Sequence, residues 1–185
     1  MNPIYLNKMK DIILGGGCFW CLEAAFQLLS GIESVQSGYA GGTAESATYA
    51  QVCTGKTDHA EVVKITYDPE LIPLEEILKV FWQIHDPTTL NRQGNDVGPQ
   101  YRSILFYHSD EELAMMKRSI EQEAKQIWGP DIVTQLEKKA TFYPAEKEHD
   151  NYFLKVGDRN PYCTYIVKPK VIKVTEKFKD KLKNL

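Results

Sequence analysis

The sequence contains no run of about 18 apolar residues, which excludes a membrane-spanning helix. Nor does it carry a large charge of either sign. Its 22 Lys and Arg stand against 25 Asp and Glu, a formal net charge of −3, which gives no reason to expect nucleic acid as the main partner. No internal repeat, low-complexity tract or linker divides the 185 residues, so one domain is expected, large enough to fold by packing without disulfides. The first ten residues hold no apolar signal segment, and a soluble, cytoplasmic protein is the expectation. Cysteines are few: Cys18, Cys21, Cys53 and Cys163. Without an export signal they are read as catalytic or redox thiols, not as a disulfide framework.

The most informative stretch is Gly15-Gly16-Gly17-Cys18-Phe19-Trp20-Cys21-Leu22-Glu23. Asp11 to Leu14 reads as a strand, and Cys21, Leu22, Ala25, Phe26 and Leu29 recur at helical spacing. Cys18 therefore falls on a glycine-rich turn at a helix start, where unpaired backbone N–H groups lower a thiol's pKa below about 8.5. The glycines let backbone approach a ligand closely. Phe19 and Trp20, beside that sulfur, suggest an apolar pocket for something small.

Further along, Ser37 to Ser46 is polar and glycine-rich and reads as a loop, while Tyr49–Cys53 and Val62–Tyr67 read as strands. Pro73 opens a helix to His85, followed by a long irregular segment from Asp86 to Gln100. Ser103–Tyr107 is a buried strand, and Ser109 caps a helix running to about Ile127. A strand is expected over Ile132–Leu136, with Thr141 to Tyr143 extending the same region, and a helix over Ala145–Val156. Gly157-Asp158-Arg159-Asn160-Pro161 forces a turn before Cys163. A lysine-rich helix over Val171–Leu185 carries Val174, Phe178, Leu182 and Leu185 as a stripe that docks on the body. Strands and helices mixed without strict alternation indicate an α/β sandwich with large functional loops.

Two loops offer proton donors to a sulfur nucleophile. One, Tyr49 to Val63, contains Tyr49, His59 and Glu61; the other, Asn91 to Ser103, contains Asp96 and Tyr101. Together with Gly17–Glu23, Gly38-Tyr39-Ala40-Gly41-Gly42, His59-Ala60-Glu61 and Gly94–Ser103, these segments resemble the A-type peptide-methionine sulfoxide reductase family. The likeness covers roughly residues 10 to 165, a single catalytic domain less its lysine-rich tail. The fold expected is α/β (α+β): a two-layer sandwich of a mixed sheet with helices packed on it, a ferredoxin-like core with long functional loops.

The resemblance implies a role for each matched residue. Cys18 is the nucleophile, Phe19 and Trp20 enclose the substrate's S-methyl group, and Glu61, Tyr49 and Tyr101 surround the sulfoxide oxygen. Asp96 is a further polar residue of the site. The substrate is the S epimer of methionine sulfoxide, free or in oxidised proteins, with no metal or organic cofactor and no membrane partner.

Chemically, attack on a sulfoxide sulfur requires protonation of its oxygen. Glu61 must then be buried so that its pKa rises from about 4.3, and one proton is expected to be shared between Glu61 and Cys18. The product is a Cys18 sulfenic acid, which a second thiol resolves. Cys163, on a segment expected to be mobile, is the candidate, because the family often keeps its resolving cysteine near the C-terminus. Cys21, three positions along one helix, and Cys53, on a strand, read as buried structural thiols. Thioredoxin, or dithiothreitol in its place, is the implied reductant.

Three rival readings remain at this level. Cys18-Phe19-Trp20-Cys21 also fits a thioredoxin-type oxidoreductase; the cysteines with His59 could form a zinc site; and Cys18 with His59 or His85 could form a cysteine hydrolase.

Overall fold

The computed structural model describes residues 8–183; the first seven residues and the last two, Leu185 of the C-terminal stripe among them, lie outside it. In chain order the elements begin with β1 (Lys10–Gly15), α1 (Phe19–Phe26), β2 (Ile32–Ala40), the single turn α2 (Tyr49–Val52), β3 (Ala60–Tyr67) and α3 (Leu74–Ile84). A two-stranded ribbon, β4 (Arg92–Gln93) and β5 (Asp96–Val97), precedes β6 (Ile104–Tyr107). Then come α4 (Asp110–Ser119), a π-helical turn, α5 (Lys125–Trp128), β7 (Gln135–Lys138), β8 (Phe142–Pro144) and α6 (Tyr152–Val156). Last is α7 (Lys168–Lys177), entered through a π-helical turn at Cys163–Val167.

The sheet order is β7-β6-β1-β3-β2-β8. Its four central strands, β6-β1-β3-β2, are antiparallel neighbours, and α1 and α3 supply the two crossovers, which is the split β-α-β arrangement of a ferredoxin-like core. Strand β7 adds parallel to β6 at one edge, and β8 adds antiparallel to β2 at the other. Three residues join β7 to β8 and can reach at most about 14 Å, whereas five strand spacings in a flat sheet would separate those edges by about 24 Å. The sheet therefore curls until its edges approach. Each face of the curl has its own core. Phe26, Leu78, Phe81 and Trp82 of the helices pack on one face, and Ile13, Ala40, Val62, Ile104 and Phe106 form a smaller cluster on the other.

Packing decides the helix edges. Ser109 Oγ accepts a hydrogen bond from the Glu112 N–H at 3.3 Å, as its capping position requires. Ile77, Leu78, Phe81 and Trp82 turn one face of α3 fully into the core, each such burial contributing about 1.5–3 kcal/mol.

Several local expectations are corrected. Ile32–Ala40, partly read as loop, is the longest strand, because β3 and β8 pair with it on both sides and override its polar composition. Tyr49 to Val52 is a helical turn, not a strand; Glu146 Oε1 accepts from the Tyr49 N–H at 2.8 Å and holds its start. Cys53, read as a buried strand residue, is exposed. Phe142–Pro144 does not extend the β7 region but closes the opposite edge. Of Ala145–Val156, only Lys147–His149 and α6 are helical. The C-terminal helix spans Lys168–Lys177; beyond it, Leu182 bridges to Leu29 and the Ser30 N–H donates to Lys181 O at 2.7 Å, so the stripe docks on the body. No helix among the described residues is long and apolar enough to cross a membrane.

Candidate active site

Cys18 is the N-cap of α1, with φ −59° and ψ 128°, and is 7% exposed. The glycines before it are required by close approach. Gly17 has φ +94°, and a Cβ there would lie 2.5 Å from Gln93 Cγ, so only glycine lets the β4–β5 ribbon close over the turn. A Cβ on Gly15 would sit 2.7 Å from the Glu61 carbonyl oxygen, on the strand that carries the carboxyl group.

Cys18, Phe19, Trp20, Tyr49, Glu61, Asp96, Tyr101 and Tyr162 line one cavity of about 250 Å³. It brings together every site residue expected from sequence except Cys163. The helix start gives Cys18 and the two aromatics, α2 gives Tyr49, β3 gives Glu61, β5 gives Asp96, and the turn after the ribbon gives Tyr101.

Glu61 is 1% exposed and accepts the Phe19 backbone N–H at 3.1 Å. Burial pushes its carboxyl up to about 8, reinforced by the charges of Asp96 and Cys21 and opposed by the Phe19 N–H. Glu61 is therefore a neutral acid at pH 7. That same bond spends a helix-terminal N–H which the sequence reading assigned to the sulfur. Burial, a hydrogen bond with Cys21 and the Glu61 charge hold the Cys18 thiol well above its ordinary pKa, so the expected lowering is not found. Cys21 takes the lowering instead, to about 7, first through its hydrogen bond with Cys18 and then, against burial, through the charge of Lys170. Of the two sulfurs Cys21 thus ionises the more readily, where the sequence reading expected one proton shared between Cys18 and Glu61.

Burial raises the phenols of Tyr49 and Tyr101 and keeps both as donors. Tyr162, which the sequence reading missed, donates its hydroxyl to Asp96 Oδ2 at 2.6 Å and also hydrogen-bonds Cys18. Its adjacency to Cys163 was the available signal. Also missed was the segment Glu146 to His149. His149 stacks on the Trp20 ring and its Nδ1 accepts from Trp20 Nε1 at 3.2 Å, while Tyr152 stacks nearly parallel to Trp20 with ring centroids 3.8 Å apart. Glu146 Oε2 accepts from the Tyr39 hydroxyl at 2.8 Å. These contacts fix the aromatic wall.

Cys163 is 0% exposed at the head of the π-helical turn. The segment before it is tied down, not free: Asn160 Nδ2 donates to the Tyr152 hydroxyl at 3.0 Å, and Asn160 Oδ1 accepts from the Tyr162 N–H at 2.9 Å. Cys163 faces the Cys21 side of α1, and the Cys21 charge adds to burial in raising its thiol.

The two histidines of the rival readings are structural. His59 is buried, with Nε2 2.9 Å from Thr43 O and Nδ1 accepting from the Gly42 N–H. His85 is buried between Phe81 O and Ser103 Oγ, and burial lowers it to about 3. Among the described residues no three His, Cys, Asp or Glu side chains come together as metal ligands.

Residues 10–182 match the family described as Peptide methionine sulfoxide reductase, a span that reaches into the lysine-rich tail beyond the quoted motifs. The chain is 54% identical over 165 residues to the peptide methionine sulfoxide reductase MsrA of Leptospira borgpetersenii serovar Hardjo-bovis, covering 89% of this chain and 93% of that protein. It is similar to the structure of Mxr1 from Saccharomyces cerevisiae in reduced form, with a TM-score of 0.77, 37% identity, and coverage of 88% of this chain and 91% of that one. It is also similar to Mxr1 in complex with Trx2, with a TM-score of 0.55, 30% identity, and coverage of 82% and 87%. A match over nearly the whole length therefore assigns the chain to the peptide methionine sulfoxide reductase family, as an enzyme that reduces methionine sulfoxide.

Proposed function

We propose that this enzyme reduces the S epimer of methionine sulfoxide, free or within oxidised proteins, by attack of Cys18 on the sulfoxide sulfur. The observation that carries the reading is a buried, neutral Glu61 in the same 250 Å³ cavity as Cys18. Phe19 and Trp20 hold the S-methyl group. Tyr49 and Tyr101 hydrogen-bond the oxygen, and Glu61 gives it a proton as the Cys18–sulfur bond forms. Cys21 takes the Cys18 proton as that sulfur attacks. Asp96 acts on Tyr162, accepting its hydroxyl hydrogen and so holding the ring at the Cys18 cavity. Methionine leaves, and Cys18 retains the oxygen as a sulfenic acid.

Resolution begins, on this reading, at Cys21. Its contact with Cys18 favours it, and the objection to an i, i+3 disulfide weakens because Cys18, with ψ 128°, lies outside the helical backbone. Cys163 is the second sulfur, attacking Cys21 and freeing Cys18 for another turnover. Thioredoxin returns the chain to its reduced form, a role supported by the Mxr1 complex with Trx2. Dithiothreitol substitutes for it. Reduced thiols and a thioredoxin partner suit a cytoplasmic protein repairing oxidative damage.

Separate assays on the two sulfoxide epimers test the substrate assignment. Turnover of the S epimer with none of the R epimer is expected, and equal turnover contradicts a single placement of methyl group and oxygen. Without reductant, the relay yields about two methionines per chain; about one would end it at the Cys18–Cys21 pair.

A further inference from the structure

The lysines of the C-terminal segment differ in what they face. Lys168 pairs with Asp158 at 3.0 Å, Lys181 with Glu76 at 3.1 Å, and Lys177 with Gln83 at 2.7 Å, all at the surface. Lys170 is different. It falls three residues after Val167 and four before Val174, both fully buried, and so occupies the inward stripe that also carries Cys163. It is half-buried, and among the described residues no carboxylate lies within ion-pair distance of it. The group it reaches is the fully buried sulfur of Cys21, on α1, against which α7 packs. Lys170 also lines a cavity of about 360 Å³ that adjoins the catalytic one and shares Asp96 and Tyr162 with it.

We propose that Lys170 is a positioning residue for the resolving step: its ammonium group stabilises the Cys21 thiolate that attacks the Cys18 sulfenic acid. This rests on the reading of Cys21 as the first resolving thiol. In the step, the Cys21 sulfur bonds to the Cys18 sulfur and the Cys18 S–O bond breaks. Cys21 is oxidised and Cys18 reduced. The proton that left Cys21 ends on the departing hydroxyl, which leaves as water, and Lys170 takes no part in the proton transfer. The groups facing Cys21 are Cys18, Lys170, Asp96, Tyr162, Glu61 and Cys163. Before the reaction, Cys18 contributes most to the Cys21 thiolate, but that thiol is consumed in forming the sulfenic acid. Lys170 is then the standing positive charge.

The experiment follows disulfide formation after one equivalent of sulfoxide, by dimedone trapping and thiol counting from pH 6 to 9, in full-length Lys170→Met. The expected result is an alkaline displacement of the profile by about one unit. A thiol one unit more basic is about tenfold less ionised at pH 6, yet intrinsically about threefold more nucleophilic, so resolution slows by about threefold there and the profiles cross toward pH 9. A residue that only supported the fold would not produce a crossing. Lys170→Arg restores the native profile, and Lys173→Met, on the same helix, leaves it in place. An unmoved profile in Lys170→Met, or equal displacement by Lys173→Met, overturns the inference. Cys21→Ser separates the two levels. It should abolish the disulfide to Cys18 in the resolving step; a disulfide forming at the native rate overturns the reading beneath. Loss of that disulfide with an unmoved Lys170→Met profile overturns the role of Lys170 alone.

Discussion

Replacing Glu61 by Gln keeps the shape and a hydrogen-bonding group but removes the transferable proton, and two magnitudes follow from where Glu61 sits. The first is kinetic. A general acid contributes about 100- to 10,000-fold, so single-turnover methionine release should slow by that factor. In the native enzyme the acid is lost as Glu61 ionises near pH 8, giving a rate that falls on the alkaline side. In Glu61→Gln that limb should vanish.

The second is thermodynamic. The folded carboxyl group titrates at about 8 against an ordinary value of 4.5. Between those values the native state holds a proton that the unfolded chain has released. Stability is therefore full below pH 4.5, declines as pH rises toward 8, and levels above it, at about 1.4 kcal/mol per pH unit. Gln carries no such penalty, so the variant should gain on the native chain by a few kcal/mol between pH 5 and pH 8. Stopped-flow methionine release across pH 6–9, with denaturant melts at pH 5 and 8, measures both. An unchanged rate, or an alkaline limb persisting in the Gln variant, refutes Glu61 as the acid; a stability difference that does not move with pH refutes its burial as the cause of the shift.

Other perturbations probe the remaining parts. Cys163→Ser should spare turnover with dithiothreitol and stop thioredoxin-dependent cycling; full activity with thioredoxin would confine the chemistry to Cys18 and Cys21. Tyr162→Phe removes a hydrogen bond that lowers the Cys18 pKa and leaves Asp96 without its 2.6 Å donor. Alkylation of Cys18 by iodoacetamide should then shift to higher pH, by up to about one unit, and an unshifted profile would remove Tyr162 from the thiol's environment. Gly17→Ala forces a Cβ into Gln93 at a φ of +94°. It should cost about 1–2 kcal/mol, read as a melting temperature lowered by roughly 2–4 °C per kcal/mol; a native melting temperature would show that the ribbon yields.

Residues of the cavity were legible in the sequence where they fall in compact motifs. Cys18, Phe19 and Trp20 are consecutive, Glu61 stands two residues after His59, and Asp96 and Tyr101 share the segment from Asn91 to Ser103, so the types of residue that sulfoxide chemistry needs stood close together. Tyr162 and His149 were not, because each acts through a partner far away in sequence: Asp96 for one, Trp20 for the other. The direction of the Cys18 shift was misread for the same reason, since the N–H that should have served the sulfur goes to Glu61 from another strand.

In the fold, α3 and β3 announced themselves through apolar periodicity. Strand β2 did not, because its polar residues are held by pairing on both sides. The fate of Phe142–Pro144 depended on the curl of the whole sheet, which no local pattern encodes.

The most direct measurement is mass spectrometry of the Cys21→Ser, Cys163→Ser double variant after one equivalent of methionine S-sulfoxide. With both relay sulfurs gone, the account predicts one methionine released per oxygen gained, with that oxygen on Cys18 as a sulfenic acid that dimedone traps as a covalent adduct. Methionine release with Cys18 unmodified, or the oxygen on any other residue, would contradict it.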